Sequence, residues 1–284
     1  MKMDAINSIF IIAKKEIMDN IRNKWIITMS IIFALLTLVT SYFGSIFSTG
    51  WQDLGATISG MMVLVQFLVP IIALILGYAT IIGEIERGSM SSLLSQSITR
   101  LEILLGKFFG LGSILAFTIF IGFGIAGIVI ALNVPDVNFV NYLVFIGSTI
   151  IIGLIFLSIS IFFSTIFKKR TSAIGGAIFL WFLFNMILPM IFVGVLFAVV
   201  GLEKGAAILS GLQNAPLWYY LISLLNPLSI YGTFNILALD ISMQPGTVSS
   251  FPDFFSGGLM ILLMIVWITF FQLLAYWRFN KKDI

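Results

Sequence analysis

The sequence predicts an all-α integral membrane protein with six transmembrane helices. Three observations carry that prediction. Hydrophobic residues fill 60% of the 284 positions and charged residues only 10%, too few charges to clothe a soluble domain. Six apolar stretches (Trp25–Ile46, Gly60–Ile82, Phe108–Leu132, Tyr142–Phe167, Ile174–Val200 and Gly257–Trp277) each exceed the ~20 residues a helix needs to cross ~30 Å of hydrocarbon. Fourteen of the fifteen Lys and Arg residues fall in segments that six crossings place on one side. These are Lys2, Lys14, Lys15, Arg22 and Lys24; Arg87, Arg100 and Lys107; Lys168, Lys169 and Arg170; and Arg278, Lys281 and Lys282, with only Lys204 opposite. That is the positive-inside pattern, and it predicts a multi-pass cell (inner) membrane protein with both termini cytoplasmic.

Cysteine and histidine are absent. Their absence excludes disulfides, thiol nucleophiles, imidazole bases and most soft metal sites. The net charge of +3 comes from the inner loops. Such scattered basic residues read as topology signals and contacts to membrane lipid, not as a surface for nucleic acid. The first apolar stretch is too long for a signal-peptide core and reads as a retained helix.

Residues 4–23 come first. Ile6, Ile9, Phe10, Ala13, Ile17 and Ile21 recur at three- and four-residue spacing, with Lys14, Lys15, Asp19 and Arg22 at other positions. This pattern predicts an amphipathic helix along the inner membrane surface, its lysine stems reaching towards headgroups. It serves as an anchor, or also as an elbow that helps hold a cytoplasmic partner.

The second span ends in Gly83-Glu84-Ile85-Glu86-Arg87-Gly88-Ser89-Met90, an abrupt change to three charges within a few residues. A short helix here would set Leu93, Leu94 and Ile98 as an apolar ridge beside Glu84, Glu86 and Arg87. Such a ridge suits protein docking, and a solvated turn with a surface helix is the competing reading. Leu101 to Lys107 then lead into the third span.

No Asp, Glu, Lys, Arg or His falls in the middle of a span, where the polar side chains are Gln66, Asn185 and hydroxyls. An ion-coupled carrier needs a buried ionisable group on its path, so the energy for any cycle comes from elsewhere. Gly106-Lys107 is followed by Phe108 and lacks the glycine of a phosphate-binding loop, so the chain holds no ATP by that device. Gly106, Gly110 and Gly112, with Gly122, Gly124 and Gly127, allow close helix approach. Pro70 and Pro189 interrupt two spans and predict local bending. Met61, Met62, Met186, Met190, Met260 and Met264 read either as adaptable packing or as a copper(I) path.

Residues 201–256 form the outer loop. Pro216 to Leu225, then Asn226-Pro227, then Leu228 to Leu237 are together long enough for a seventh crossing. The charge bias opposes it, since a seventh span would put Arg278, Lys281 and Lys282 outside. Asn226-Pro227 favours two short helices, interfacial or re-entrant, on the outer face. Trp218, Tyr219, Tyr220 and Tyr231, around Asn226 and Pro227, are expected to contact an outer partner or the interface.

The run from Gly83 to Leu94, followed by Ile98-Thr99-Arg100 and Leu104-Leu105-Gly106-Lys107, resembles the signature of ABC-2 type transporter permeases. The resemblance covers nearly the whole chain, and Ser97 stands where many relatives have proline. It implies a single ABC-2 transmembrane domain over 1–284 with the ABC-2 (type V exporter-like) permease fold. That fold has an N-terminal amphipathic elbow helix, a cytoplasmic coupling loop over 83–106, and an outer helical hairpin before the last span. It further implies a non-enzymatic subunit that binds no cofactor itself and works as two copies with two cytoplasmic ABC ATPase subunits, which carry ATP and Mg²⁺. Glu84, Glu86, Arg87, Gly88, Leu93, Leu94, Arg100 and Lys107 are thereby expected at or beside the ATPase-coupling helix.

Ile12-Ala13-Lys14-Lys15-Glu16-Ile17, Ile21 to Trp25, Leu224 to Pro227 with Ile230-Tyr231, and Leu274 to Arg278 look like a narrower family. Its members are the membrane subunits of the ABC systems that mature the copper centres of nitrous oxide reductase. That resemblance implies a periplasmic or extracellular accessory protein and a copper- or sulfur-related cargo, or transmission of ATP energy without bulk transport. A general ABC-2 exporter of a lipid, drug or polysaccharide and a non-transporting membrane scaffold remain the alternatives.

Overall fold

The computed structural model describes residues 5–21, 24–43, 54–96, 98–133, 138–210, 212–239 and 251–282. Ser97, Asp53, Asp136 and Asp240 lie outside the described residues. Helices follow one another in the expected order: α1 (Ala5–Ile21), α2 (Lys24–Phe43), α3 (Leu54–Gly77), α4 (Ile82–Glu86) and α5 (Ser89–Leu94). Then come α6 (Arg100–Asn133), α7 (Phe139–Ile166), α8 (Arg170–Phe182), a π-helical turn (Leu183–Ile187) and α9 (Leu188–Val200). Three short helices, α10 (Leu202–Leu209), α11 (Leu217–Ser223) and α12 (Pro227–Leu239), precede α13 (Gly257–Asn280).

Five long apolar helical segments, those of α3–α4, α6, α7, α8–α9 and α13, have the length and composition to cross a membrane. The 20 residues of α2 rise ~30 Å at ~1.5 Å each, enough for the sixth crossing that the sequence predicts. α11 and α12 are bent by 115° at Asn226, so they do not form a straight seventh span. The fold is that of an all-α membrane permease with a helical hairpin before its last span.

α7 is the centre of the bundle, with α3, α6, α12 and α13 packed against it. Its serines let helices come close. Ser160 donates to the carbonyl of Leu74 at 2.7 Å, and a Cβ at Gly77 would stand only 2.7 Å from the Ser160 Cβ. Asn138 caps the start of α7 by accepting from the backbone N–H groups of Val140 and Asn141. α8–α9 and α13 keep much apolar surface outward, including Phe179, Met190, Val199, Phe270 and Leu273. Outward apolar side chains suit hydrocarbon, where burial of greasy surface is not the drive that it is in water.

The third helix of membrane length starts at Arg100, earlier than the apolar stretch beginning at Phe108. A capping box explains this. Thr99 N–H donates to Glu102 Oε2 at 3.0 Å, and the Glu102 N–H donates back to Thr99 Oγ1 at 3.3 Å. The box winds a further two turns of helix below the hydrocarbon and brings Lys107 into them.

Pro70 lies inside α3, which continues through it. Pro189 instead follows the π-helical turn and occupies the first turn of α9, where a missing N–H costs little. Asn226 Nδ2 donates to the carbonyl of Phe184 in that turn at 2.8 Å. The methionines divide: Met61, Met260 and Met264 are fully buried packing groups, whereas Met186 and Met190 point outward.

Candidate functional site

Five elements meet at the end of the bundle where α4 and α5 lie. α1 crosses α6 there at close range, because Gly106 and Gly110 are one turn apart on α6. A Cβ at Gly106 would lie 2.7 Å from Ile12 Cβ, and one at Gly110 would lie 2.9 Å from the Ala13 carbonyl oxygen. Backbone approach of this kind needs glycine. The N-terminal helix is thus docked on the third span through Ser8, Ile12 and Ala13, while Ile6, Phe10, Ile11 and Met18 stay exposed. A helix with that second apolar face suits the membrane interface.

Close packing brings Glu16 to Lys107. The ammonium of Lys107, 2% exposed, lies 2.5 Å from Glu16 Oε1 and 2.7 Å from Glu84 Oε1. One cation therefore joins α1, α4 and α6. A buried charge is tolerated only when paired and hydrogen-bonded, and here one cation answers two carboxylates.

A second pair fastens the other side of α4. Arg170 Nε lies 3.0 Å from Glu86 Oε2, and its Nη2 donates to the Gly83 carbonyl at 2.7 Å. Glu86 Oε1 also accepts from the backbone N–H of Arg170 at 2.9 Å. That N–H is among the orphan donors at the start of α8, so Glu86 caps α8 from another element. Ser164 Oγ accepts from the N–H groups of Ile81 and Ile82 at 2.9 and 3.1 Å, tying the entry of α4 to α7.

The C-terminal end is fastened too. Arg100 Nη1 donates to the carbonyls of Phe279 and Lys282, and its guanidinium lies 5.3 Å from the centre of the Phe279 ring. Lys282 Nζ donates to the Thr165 and Phe167 carbonyls at 3.0 and 2.8 Å, capping the last turn of α7. Burial first, then the charges of Arg278 and Lys168, lowers the Lys282 pKa below the ordinary lysine value.

A small core lies under α5. Ile12, Ile81, Met90, Ile103 and Phe279 are buried together, with Ile85, Leu93, Leu94 and Ile98 packed against them. Leu93, Leu94 and Ile98 therefore do not form the free ridge expected from the sequence: they turn largely inward onto the chain's own core. Gly88 takes a left-handed conformation (φ 73°) that permits the sharp turn from α4 into α5. Arg87, Gly88, Ser91, Ser92 and Gln96 are exposed.

The outer residues are placed unevenly. Trp218 and Tyr219 are half-buried, whereas Tyr220, Asn226, Pro227 and Tyr231 are buried. For Asn226, Pro227 and Tyr231, the expectation of an outer contact is corrected by this burial. Tyr231 shares a hydrogen bond with Thr149 at 3.2 Å, and Asn235 accepts from Ser148 at 2.9 Å. Ser148 is nine residues into α7, roughly 14 Å along it. At that depth a polar group must find a partner within the protein, and α12 supplies it by entering the bundle.

Glu16, Arg170, Ser164 and Lys282 were not among the sequence-predicted site residues. Glu16 carried a signal, since it follows Ile12 and Ala13 at helical spacing on the packed face. Arg170 and Lys282 stood out only as topology charges, and nothing in the sequence shows which carbonyls they reach.

Residues 10–284 match the family described as ABC-2 family transporter protein. The chain is 32% identical over 283 residues to the "Probable ABC transporter permease protein NosY" of Pseudomonas aeruginosa, covering 97% of this chain and 99% of that protein. It is 35% identical over 285 residues to the protein of the same description from Stutzerimonas stutzeri, covering 98% and 99%. With its bundle of membrane-length helices, its docked N-terminal helix and its outer hairpin, the chain belongs to the ABC-2 family of transporter permeases and is similar to NosY-type permease subunits.

Proposed function

We propose that this chain, as a single transmembrane domain with both termini in the cytoplasm, transmits the ATP-driven motion of a separate ATPase across the membrane. Two copies assemble with two cytoplasmic ATPase subunits, which hold ATP and Mg²⁺. The observation that carries the reading is the anchored loop. α4 and α5 are tied to α1, α6, α7 and α8 by ion pairs and hydrogen bonds, while Arg87, Ser91, Ser92 and Gln96 remain outward. A rigid lever with a free outer surface moves its attached helices when a partner pushes it. Glu84, Glu86, Arg100 and Lys107 hold the lever; Arg87 and Gly88 lie at its exposed turn.

The role favoured is the maturation of the copper centres of nitrous oxide reductase, acting with an outer accessory protein. Similarity to two NosY permeases along nearly the whole chain supports it. The experiment measures the copper content of nitrous oxide reductase in a strain lacking this gene, with and without complementation. Loss on deletion and return on complementation are expected. Normal copper content without the chain removes the maturation role and leaves family membership untouched.

General export is the second reading, and one cavity favours it. About 320 Å³ is enclosed by α3, the π-helical turn, α11 and α12, with uncharged polar groups from Gln66, Asn185, Ser223 and Thr233 on its wall. Such a lining suits a neutral, hydrogen-bonding solute.

A further inference from the structure

A second cavity, of about 340 Å³, opens between α1, α3, α4 and α6 beside the Lys107 cluster. Leu76 and Leu111, from two membrane helices, line one part of it, and Glu16, Asp19, Glu84, Arg87 and Lys107 line the rest. Three carboxylates thus face two cations, leaving a deficit of one positive charge. The deficit has an address. Glu84 Oε1 accepts from Lys107, but Glu84 Oε2 is buried without a hydrogen-bond partner. An orphaned carboxylate oxygen costs free energy that a donor would recover.

We propose that this cavity binds the ethanolamine headgroup of a phospholipid, with its primary ammonium on Glu84 Oε2. The three N–H donors of the ammonium match Glu84 and Asp19, and its charge supplies the missing cation. The headgroup phosphate faces Arg87, which forms no ion pair among the described residues. The acyl chains leave past Leu76 and Leu111. α1 forms one wall and exposes Phe10, Ile11 and Met18, apolar residues that suit the level where headgroups lie. A choline headgroup lacks N–H donors, and a purely anionic headgroup would meet the excess of carboxylates. Among the described residues no group of acids is arranged to hold a metal ion.

The test places the purified protein in nanodiscs containing equal parts of phosphatidylethanolamine and phosphatidylcholine. Lipids retained after transfer to detergent are counted by native mass spectrometry. Wild type should keep the ethanolamine lipid about tenfold over the choline lipid, in line with a charge-assisted hydrogen bond. Glu84→Gln should abolish that preference. Asp19→Asn, at an exposed position that leaves both Lys107 pairs in place, should weaken it severalfold. Equal retention of the two lipids by wild type would overturn the proposal, as would an unchanged preference in both variants. Soluble phosphoethanolamine is the control for source: thermal protection by it, with none from the lipid, would overturn the headgroup assignment.

Discussion

Lys107 and Glu84 are 23 positions apart and meet at 2.7 Å. Their contact holds the short helix α4 against α6, and Glu16 on the far side of the same ammonium extends the tie to α1. The cluster is buried, so its members respond to substitution differently from surface charges.

Lys107→Ala should be strongly destabilising, because two carboxylates would remain together without their cation. Removing one partner of a buried ion pair typically costs about 3–5 kcal/mol. Thermal unfolding in detergent measures it, and Lys107→Met combined with Glu16→Gln and Glu84→Gln should recover much of the loss. An unchanged midpoint in Lys107→Ala would show that the ammonium is not holding the three helices.

Gly110→Leu should lift α1 from α6 without preventing membrane insertion. Even a Cβ here would meet the Ala13 backbone at 2.9 Å, and backbone cannot step aside as a flexible side chain can. Faster proteolysis within α1, together with reduced ATPase stimulation, is the expected result. Gly124, whose Cβ position has open space around it, is the control, and Gly124→Ala should change neither.

Arg87 and Glu86 separate docking from anchoring. Arg87→Glu changes an exposed side chain with no internal ion pair, so it should weaken ATPase pull-down while leaving thermal stability within ~0.5 kcal/mol. Glu86→Ala removes the cap on α8 and one end of a half-exposed pair, which is worth no more than about 1 kcal/mol of stability. Its effect on ATP turnover should be matched by Arg170→Ala and should not add to it in the double variant. Additive losses would mean that the two residues act separately.

Membrane sidedness can be read by labelling. Single cysteines at Ser92, Thr171 and Lys281 should be protected from an impermeant thiol reagent in intact cells, and one at Gln213 should react. All four positions are exposed on the protein surface, so protection reports the membrane side and not burial. Labelling at Lys281 would reverse the assigned cytoplasmic C-terminus.

The complex should contain two permease copies. Closed two-fold symmetry is the commonest homo-oligomeric arrangement, and the six helices of one copy leave α8–α9 and α13 largely uncovered. Native mass measurement in nanodiscs would decide, and an active complex holding one copy would contradict it.

Much of this architecture was readable along the chain. Long runs of Ile, Leu and Phe can be stable in hydrocarbon only as helices, and helix length follows from membrane thickness, so the spans and their number could be counted. Asn226-Pro227 announced a break, because proline lacks the donor that a continuous helix uses. Gly83 to Leu94 announced a special inner segment through an abrupt change of polarity. Thr99 and Glu102 also carried the capping box in their spacing, three residues apart.

The pairing of charges was not readable in this way. Along the chain, Glu16, Glu84, Lys107 and Arg170 are isolated charges near helix ends, and each is compatible with a solvated surface. Their partnership depends on α1 settling into the Gly106–Gly110 groove and on α4 turning back at Ser164. Nor could the burial of Tyr231 and Asn226 be foreseen, since an aromatic, polar outer segment suits the interface equally well. By itself the sequence determined the helices, their order and the expected sidedness, because those follow from local periodicity and from the cost of placing charge in hydrocarbon. Only the tertiary structure decided which charges are anchors and which are free, because ion pairing requires atoms within a few ångströms and residues up to 91 positions apart are brought that close only by packing.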